Sequence, residues 1–202
     1  MGESQDPTIG AEYTRRLTER RGSAWKRFVP DPYRWNIRRT CSGRTLDIGC
    51  GVGRCLAFLD GNGVGVDHNP TSIAECRRRG LEAYTPEEFA ASDRGRFHTL
   101  LVSHVLEHMD EDSAVSLLRP YLASLVDRGR VIVVTPQEAG QRSDPTHVRM
   151  VGVADIEAVF ARLDIERDSA RSYPFPRFVG RFFIHNETVV TGVLRGGGVV
   201  GD

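Results

Sequence analysis

No charge of either sign dominates this sequence. Lys plus Arg and Asp plus Glu each number 27 over 202 residues, so there is no overall basic field to gather nucleic acid or an anionic membrane. Long hydrophobic runs are missing too. No segment approaches the roughly 18 apolar residues of a membrane span, and the polar start from Met1 to Gly10 holds no apolar secretory stretch. Cysteine is scarce: Cys41, Cys50, Cys55 and Cys76 are the four present, without a CxxC pair, a pattern unlike a zinc cage or a disulfide framework. These absences lead to the expectation of a cytoplasmic protein with free thiols and a small or neutral ligand, with no membrane partner. Nucleic acid is disfavoured, although Arg15, Arg16, Arg20, Arg21, Lys26 and Arg27 offer one local basic face.

What is present is the rhythm of an α/β protein. After a polar start, Ala11 to Arg27 reads as an arginine-rich helix that Pro30 and Pro32 end. From Arg44, short apolar runs bounded by Gly or Asp alternate with helical stretches, as in a parallel sheet wrapped by helices. Strands are expected at Thr45 to Ile48, Gly63 to Val66, Leu81 to Tyr84, Thr99 to Val102 and Arg130 to Val134. Helices are expected at Arg54 to Leu59, Thr71 to Arg79, Pro86 to Ala91, Ser113 to Val126 and Ala154 to Arg162. The tail reads as two more strands, Ile165 to Ser169 and Asn186 to Leu194, joined by an aromatic, proline-containing loop. This divides the chain into an N-terminal helical cap (1–43), one main domain (44–195) and a loose glycine-rich tail (196–202).

The segment Thr45-Leu-Asp-Ile-Gly-Cys-Gly-Val-Gly-Arg54 places three glycines at alternate positions between an apolar strand and a helix. Gly49, Gly51 and Gly53 permit a tight turn and close approach of a ligand to the backbone. A dinucleotide fingerprint would need its third glycine at position 54, which is Arg, and an acid, Asp47, precedes the turn. That departure argues against a pyrophosphate and for a cationic ligand. Asp67 closes the second strand, where a carboxylate can accept both hydroxyls of a ribose. An adenosyl amino acid carrying an ammonium and a sulfonium, S-adenosylmethionine, satisfies both acids.

Here the chain resembles the class I S-adenosylmethionine-dependent methyltransferases, whose first motif looks like Leu46-Asp-Ile-Gly-Cys-Gly-Val-Gly53. The resemblance covers roughly residues 44 to 168. It implies a Rossmann-like fold: a mostly parallel seven-stranded sheet with helices on both faces and an antiparallel last strand. It also implies that Asp47 and the loop backbone of Gly49, Cys50 and Gly51 hold the methionine end, that Asp67 binds ribose, and that His68 and Ser103 line the site. Where the family often carries an acid for the adenine amine, this chain has Thr85 and Pro86.

A second constellation follows the fourth strand: Ser103-His-Val-Leu-Glu-His-Met109 puts His104, Glu107 and His108 at i, i+3 and i+4 of a starting helix, hence on one face. A later stretch, Ser143-Asp-Pro-Thr-His-Val148, brings Asp144 and His147 after the fifth strand. Glu107, His108, Asp144 and His147 form a mixed nitrogen and oxygen set for a divalent ion, which would lower the pKa of a substrate hydroxyl. Without a metal, His147 or His108 is the general base; His104 is a further catalytic candidate. The segment resembles the metal-dependent small-RNA 2′-O-methyltransferases, which implies magnesium, although His104 stands where those have an acid. Ubiquinone-type O-methyltransferases share a similar Val-Leu-Glu-His run.

Two segments can shape an acceptor pocket, one with Tyr33, Trp35 and Arg38, the other with Tyr173, Arg177 and Arg181. Aromatic faces stack on sugars and arginines donate to hydroxyls. Alternatively, Tyr33 and Trp35 cover the cofactor, and Phe182 and Phe183 pack on the sheet or on a second subunit of a homodimer. With Asp-Pro-Thr-His-Val-Arg149 and Tyr-Pro-Phe-Pro-Arg177 included, the chain is similar to bacterial sugar O-methyltransferases, in particular the mannoside O-methyltransferases of methylmannose polysaccharide synthesis. That similarity implies a short, partly methylated oligomannoside as acceptor. The alternatives are a phenol or quinone precursor, for which the aromatic loop is a flat slot, and a non-catalytic binding protein, which the presence of Asp47 and Asp67 disfavours.

Overall fold

The computed structural model describes residues 32–91 and 93–195. The helix expected over Ala11 to Arg27, its basic face and the tail 196–202 lie outside the described residues. Seven strands, β1 (Thr45–Ile48), β2 (Gly63–Val66), β3 (Ala83–Tyr84), β4 (Phe97–Ser103), β5 (Leu125–Pro136), β6 (Ile165–Tyr173) and β7 (Glu187–Leu194), form one sheet in the order β3-β2-β1-β4-β5-β7-β6. β2 runs parallel to β3 and β4 to β5, while β7 is antiparallel to both β5 and β6. This is the mostly parallel Rossmann-like sheet that the sequence led us to expect, reversed at its last strand. No helix among the described residues is long and apolar enough to cross a membrane. Contacts gather the described residues into two units, one holding 32–40 and Leu46–Arg94, the other Cys41–Thr45 and 95–195.

In the first unit, α1 (Pro32–Thr40) buries Tyr33, Asn36, Ile37 and Thr40, the spacing of one helix face. The ring of Tyr33 meets Phe58 edge-on with centroids 6.1 Å apart. Asn69 caps α2 (Pro70–Arg78) by accepting from the Thr71 N–H, and a capping box of Thr85 and Glu88 starts α3 (Pro86–Ala90); each helix has Pro in its first turn, where a missing N–H costs nothing. Cys50, Leu56, Ile73, Cys76 and Ala83 make the unit's apolar cluster. The helix expected over Arg54 to Leu59 is only a 3₁₀ turn at Leu56–Phe58. Gly61 (φ 82°) and β2 follow almost at once, leaving no length for a second turn.

In the second unit, Asp110 caps α4 (Glu111–Leu122), whose expected continuation to Val126 is cut short because Leu125 already pairs with Phe97 as the start of β5. α5 (Glu138–Arg142) was not foreseen; it has too few residues to show a period. The Asp155 carboxylate accepts from the Gly152 N–H at 2.8 Å and opens α6 (Val153–Arg162), which buries Ile156, Val159 and Phe160. β6 runs to Tyr173 rather than Ser169, paired with β7 along its length. Its residues beyond Ile165 are all exposed or half-buried, so no apolar alternation announces it.

Candidate active site

The glycine loop of the first unit is strapped to β2 by the N–H groups of Gly49 and Cys50, both of which donate to the Val66 carbonyl, at 2.8 and 3.1 Å. Gly49, Gly51 and Gly53 all have positive φ (71°, 51° and 73°), so the alternation seen in the sequence is a run of left-handed turns that a side chain would strain. At Gly53 a Cβ would also lie 2.6 Å from Leu81 Cδ1 and 3.0 Å from Cys76 Sγ. The Gly51 carbonyl accepts from the Cys76 thiol at 3.2 Å, a support that spacing alone did not reveal.

Asp47 lies on β1 with 1% of its surface exposed, and its Oδ2 is buried without a hydrogen-bond partner. Burial, with Cys76 and Asp67 adding to it, pushes the carboxyl well above the usual carboxylate range. A buried acid of this kind calls for a cation, and a ligand ammonium meets that need, so the residues present fit S-adenosylmethionine. Asp67 is instead fixed by two backbone donors: Oδ2 accepts from the Gly51 N–H at 2.8 Å and Oδ1 from the Asn69 N–H at 2.9 Å. Each oxygen keeps a second lone pair for a hydroxyl. The half-exposed His68 ring has Nδ1 3.8 Å from Asp67 Oδ1. Cys50 is buried, its thiol pushed up by a hydrogen bond with Cys76 and by burial. Thr85 spends its hydroxyl and its N–H on the capping box with Glu88, and Pro86 is the first residue of α3.

The second unit holds the histidines. Ser103 ends β4, buried, and His104 follows in the left-handed region at φ 58°, its N–H donating to the Val134 carbonyl at 2.9 Å. Leu106–His108 is one 3₁₀ turn and the helix proper starts only at Glu111. This corrects the expected helical face, because the segment is a single 3₁₀ turn and His104 is still held by β5. Its Nδ1 lies 3.1 Å from Glu107 Oε1 and its Nε2 2.8 Å from Glu187 Oε1. Burial opposes the charged ring, but the two carboxylates outweigh it and raise the pKa to about 10. With both nitrogens donating, His104 has no lone pair for a metal or for a proton from substrate.

His108 and His147 are set up differently. Nδ1 of His108 faces the Thr146 carbonyl at 3.0 Å and Nδ1 of His147 the Gln141 carbonyl at 3.2 Å. Carbonyls only accept, so both Nδ1 atoms carry a proton, and in the neutral ring each Nε2 keeps a lone pair. The two rings meet edge-on with centroids 5.0 Å apart. Glu107 is fully buried; its Oε1 is 3.9 Å from His147 Nε2 and its Oε2 has no hydrogen-bond partner. The Val148 N–H donates to the Glu107 carbonyl at 2.9 Å and ties the loop to the turn. One ligand atom each from Glu107, His108 and His147 lies within 4.8 Å of the others. Asp144 is not in this group: its Oδ1 accepts from the Thr146 N–H and hydroxyl, at 3.0 and 2.7 Å, to shape the loop.

The expected acceptor residues divide between the units. In the first, Tyr33 is buried with its hydroxyl 3.4 Å from Cys55 Sγ, Trp35 is 53% exposed beneath the Arg39 guanidinium, and Arg38 is paired with Asp60. In the second, Tyr173 ends β6, and the excursion from β6 to β7 carries Arg177 and Arg181, with Phe175, Phe178, Phe182 and Phe183 exposed. Arg177 forms a two-pronged pair with Glu138 at 2.6 and 2.8 Å. The Arg181 carbonyl accepts from Arg142 at 2.9 Å, while its side chain is exposed. The base of the excursion is pinned by buried amides: Asn186 Nδ2 donates to Gln137 Oε1 at 2.9 Å, and Gln137 Nε2 donates to Ser172 Oγ and the Glu187 carbonyl, each at 2.9 Å.

A Rossmann-like sheet with an acid before the glycine loop and a second after β2 fits a nucleoside-binding transferase, and the family comparison gives the class. The chain belongs to the methyltransferase-domain family, whose model matches residues 13–186, and it is an S-adenosylmethionine-dependent methyltransferase. The chain is similar in fold to magnesium protoporphyrin IX methyltransferase from Synechocystis PCC 6803, solved with bound SAH, at 16% identity and TM-score 0.64, covering 93% of this chain and 97% of that one. A TehB-like methyltransferase from Corynebacterium glutamicum superposes with TM-score 0.66 at 17% identity, over 92% and 100% of the chains. The N-methyltransferase NodS from Bradyrhizobium japonicum does so with TM-score 0.57 at 16% identity, over 81% and 94%. No curated protein matches the chain significantly in sequence.

Proposed function

We propose that this methyltransferase transfers the methyl group of S-adenosylmethionine to a hydroxyl of a small carbohydrate, readied by Glu107, His108 and His147 around a divalent ion. The observation that carries the reading is the buried Glu107 Oε2 without a partner, close to two imidazoles that each keep a lone pair. Three acceptor atoms so grouped repel one another unless a cation joins them.

S-adenosylmethionine, when bound, supplies an activated methyl on a sulfonium. The chain's part is to neutralise and to orient. Asp47 answers the ammonium and Asp67 the ribose, fixing the sugar through a carboxylate that Gly51 and Asn69 already hold rigid. Glu107, His108 and His147 would hold the ion, whose chemistry is to lower the pKa of a bound hydroxyl. The carbonyls of Thr146 and Gln141 orient the two rings for that task. With two nitrogens and one carboxylate, and Asp144 committed to its own loop, the set suits Mn²⁺ or Zn²⁺ better than the magnesium expected from the sequence. In a metal-free version the Nε2 of His147 or of His108 takes the hydroxyl proton.

The carbohydrate acceptor rests on the excursion between β6 and β7, where exposed phenylalanine rings and Arg181 offer stacking faces and a donor. The same four exposed phenylalanines favour a second reading, a flat phenol or quinone precursor; one fold relative acts on a porphyrin by its name and another on nitrogen. Turnover of labelled S-adenosylmethionine with a panel of oligomannosides and catechols separates the two. Excess chelator should abolish that turnover and Mn²⁺ or Mg²⁺ restore it; full activity in chelator moves the role to a histidine base.

A further inference from the structure

We propose that Glu187, the first residue of β7, is the positioning residue of the histidine and carboxylate site, acting on Glu107 through His104. The inference rests on the reading of Glu107, His108 and His147 as an ion site. Glu187 is buried, and its Oε1 accepts from His104 Nε2 at 2.8 Å, while the opposite nitrogen of the same ring reaches Glu107 Oε1 at 3.1 Å. One imidazole therefore bridges two carboxylates that stand 80 residues apart in the chain.

Each end of the bridge is fixed independently. The Glu187 carbonyl accepts from Gln137 Nε2 at 2.9 Å, and Glu187 is in register with Pro136 of β5 and Tyr173 of β6, so its backbone cannot drift. His104 is locked by its N–H bond to the Val134 carbonyl and by its left-handed backbone. The bridge occupies Glu107 Oε1 and leaves Oε2 as the oxygen without a partner. Without Glu187 the ring of His104 loses the contact that sets its rotation, and Glu107 loses the donor that decides which oxygen it presents. Groups that hold a metal ligand in place in this way typically cost about 10- to 100-fold in metal affinity when removed.

The test uses the full-length protein and Mn²⁺ alone, with free ion read by electron paramagnetic resonance. Glu187→Ala should weaken Mn²⁺ binding by about 10- to 100-fold, and Glu187→Gln, which keeps an acceptor for His104, should recover most of it. His104→Asn, a residue tolerant of the left-handed backbone, should weaken binding comparably, and adding Glu187→Ala to it should change nothing more. S-adenosylmethionine affinity and the melting temperature report whether the variants are folded. Unchanged Mn²⁺ affinity in folded Glu187→Ala, or losses that add in the double variant, overturns the proposal. If the wild type takes up no Mn²⁺, the ion reading fails, and the same cycle is read on kcat. There, a loss in Glu187→Ala that His104→Asn does not deepen supports the positioning role, and wild-type kcat in Glu187→Ala ends it.

Discussion

Asp47→Asn should separate ligand binding from fold stability. The wild-type carboxylate is 1% exposed, its Oδ2 lacks a partner, and burial holds its pKa well above the ordinary value. An acid whose folded pKa is raised binds more protons folded than unfolded between the two pKa values. The ligand-free protein therefore loses stability as pH rises from the ordinary carboxylate range through the raised pKa. Asparagine removes the ionisation and with it that slope, so ligand-free Asp47→Asn should melt no lower than wild type at neutral pH. Cofactor binding should move the other way. Removing one partner of a buried charge pair costs about 2–5 kcal/mol, and at 1.36 kcal/mol per factor of ten that is about 30-fold to several thousandfold in Kd. Calorimetry with S-adenosylmethionine measures the loss. Repeating it in buffers of different ionisation heat should show a proton released on binding to the wild type and none in the variant. A variant that melts lower yet binds the cofactor with wild-type affinity would refute the assignment of Asp47 to the ligand ammonium.

Asp67→Ala removes both the ribose acceptor and the anchor of Gly51 and Asn69, so S-adenosylmethionine should bind at least about tenfold more weakly by calorimetry. Gly53→Ala forces a left-handed alanine at φ 73° against Leu81 and Cys76; backbone and overpacking costs together come to about 2–4 kcal/mol, and a melting scan should show a fall of about 5–15 °C. For His104, the folded pKa is raised to about 10, so its stabilisation is complete below the unfolded imidazole pKa and drains away as pH rises through about 10. Urea titrations between pH 6 and pH 10.5 should show that decline in wild type and a flatter course in His104→Asn.

The glycine-loop half of the chain was readable because its signals are local. Asp47, the glycine alternation and Asp67 sit within one strand-turn-strand passage, and β1 and β2 begin and end where the apolar runs do. The other half depends on pairings that sequence distance conceals. The helical spacing of His104, Glu107 and His108 suggested one face, but the Val134 carbonyl holds His104 in the sheet's last contact and turns its ring toward Glu187. Glu187 carried no signal, being a lone acid at the start of a Val-rich strand. β6 was clipped at Ser169 because Arg171 and Ser172 look like loop residues, although their backbones pair with Val189 and Thr188. Asp144 looked like a ligand by its neighbourhood to His147; its short side chain instead closes on Thr146, two residues away.

Among the described residues, the buried carboxylate oxygens without a hydrogen-bond partner are Asp47 Oδ2 and Glu107 Oε2. A fold does not gain stability from such atoms, since an unsatisfied buried charge costs more than a buried hydrogen bond returns. The surface acids show the contrast: Glu138, Glu88 and Asp112 each meet an arginine, where a pair adds little and costs little. Among the described residues no arginine side chain pairs with Asp47 or Glu107; Asp47 lies on a buried strand, and Glu107 stands beside two imidazoles and the His104 bridge. An arginine at either place would satisfy the charge permanently and leave nothing for a ligand to complete. On the proposed reading the stability withheld at these two oxygens is available to the cation that reaches each, so S-adenosylmethionine and Mn²⁺ should each raise the melting temperature more than contacts with exposed residues alone would.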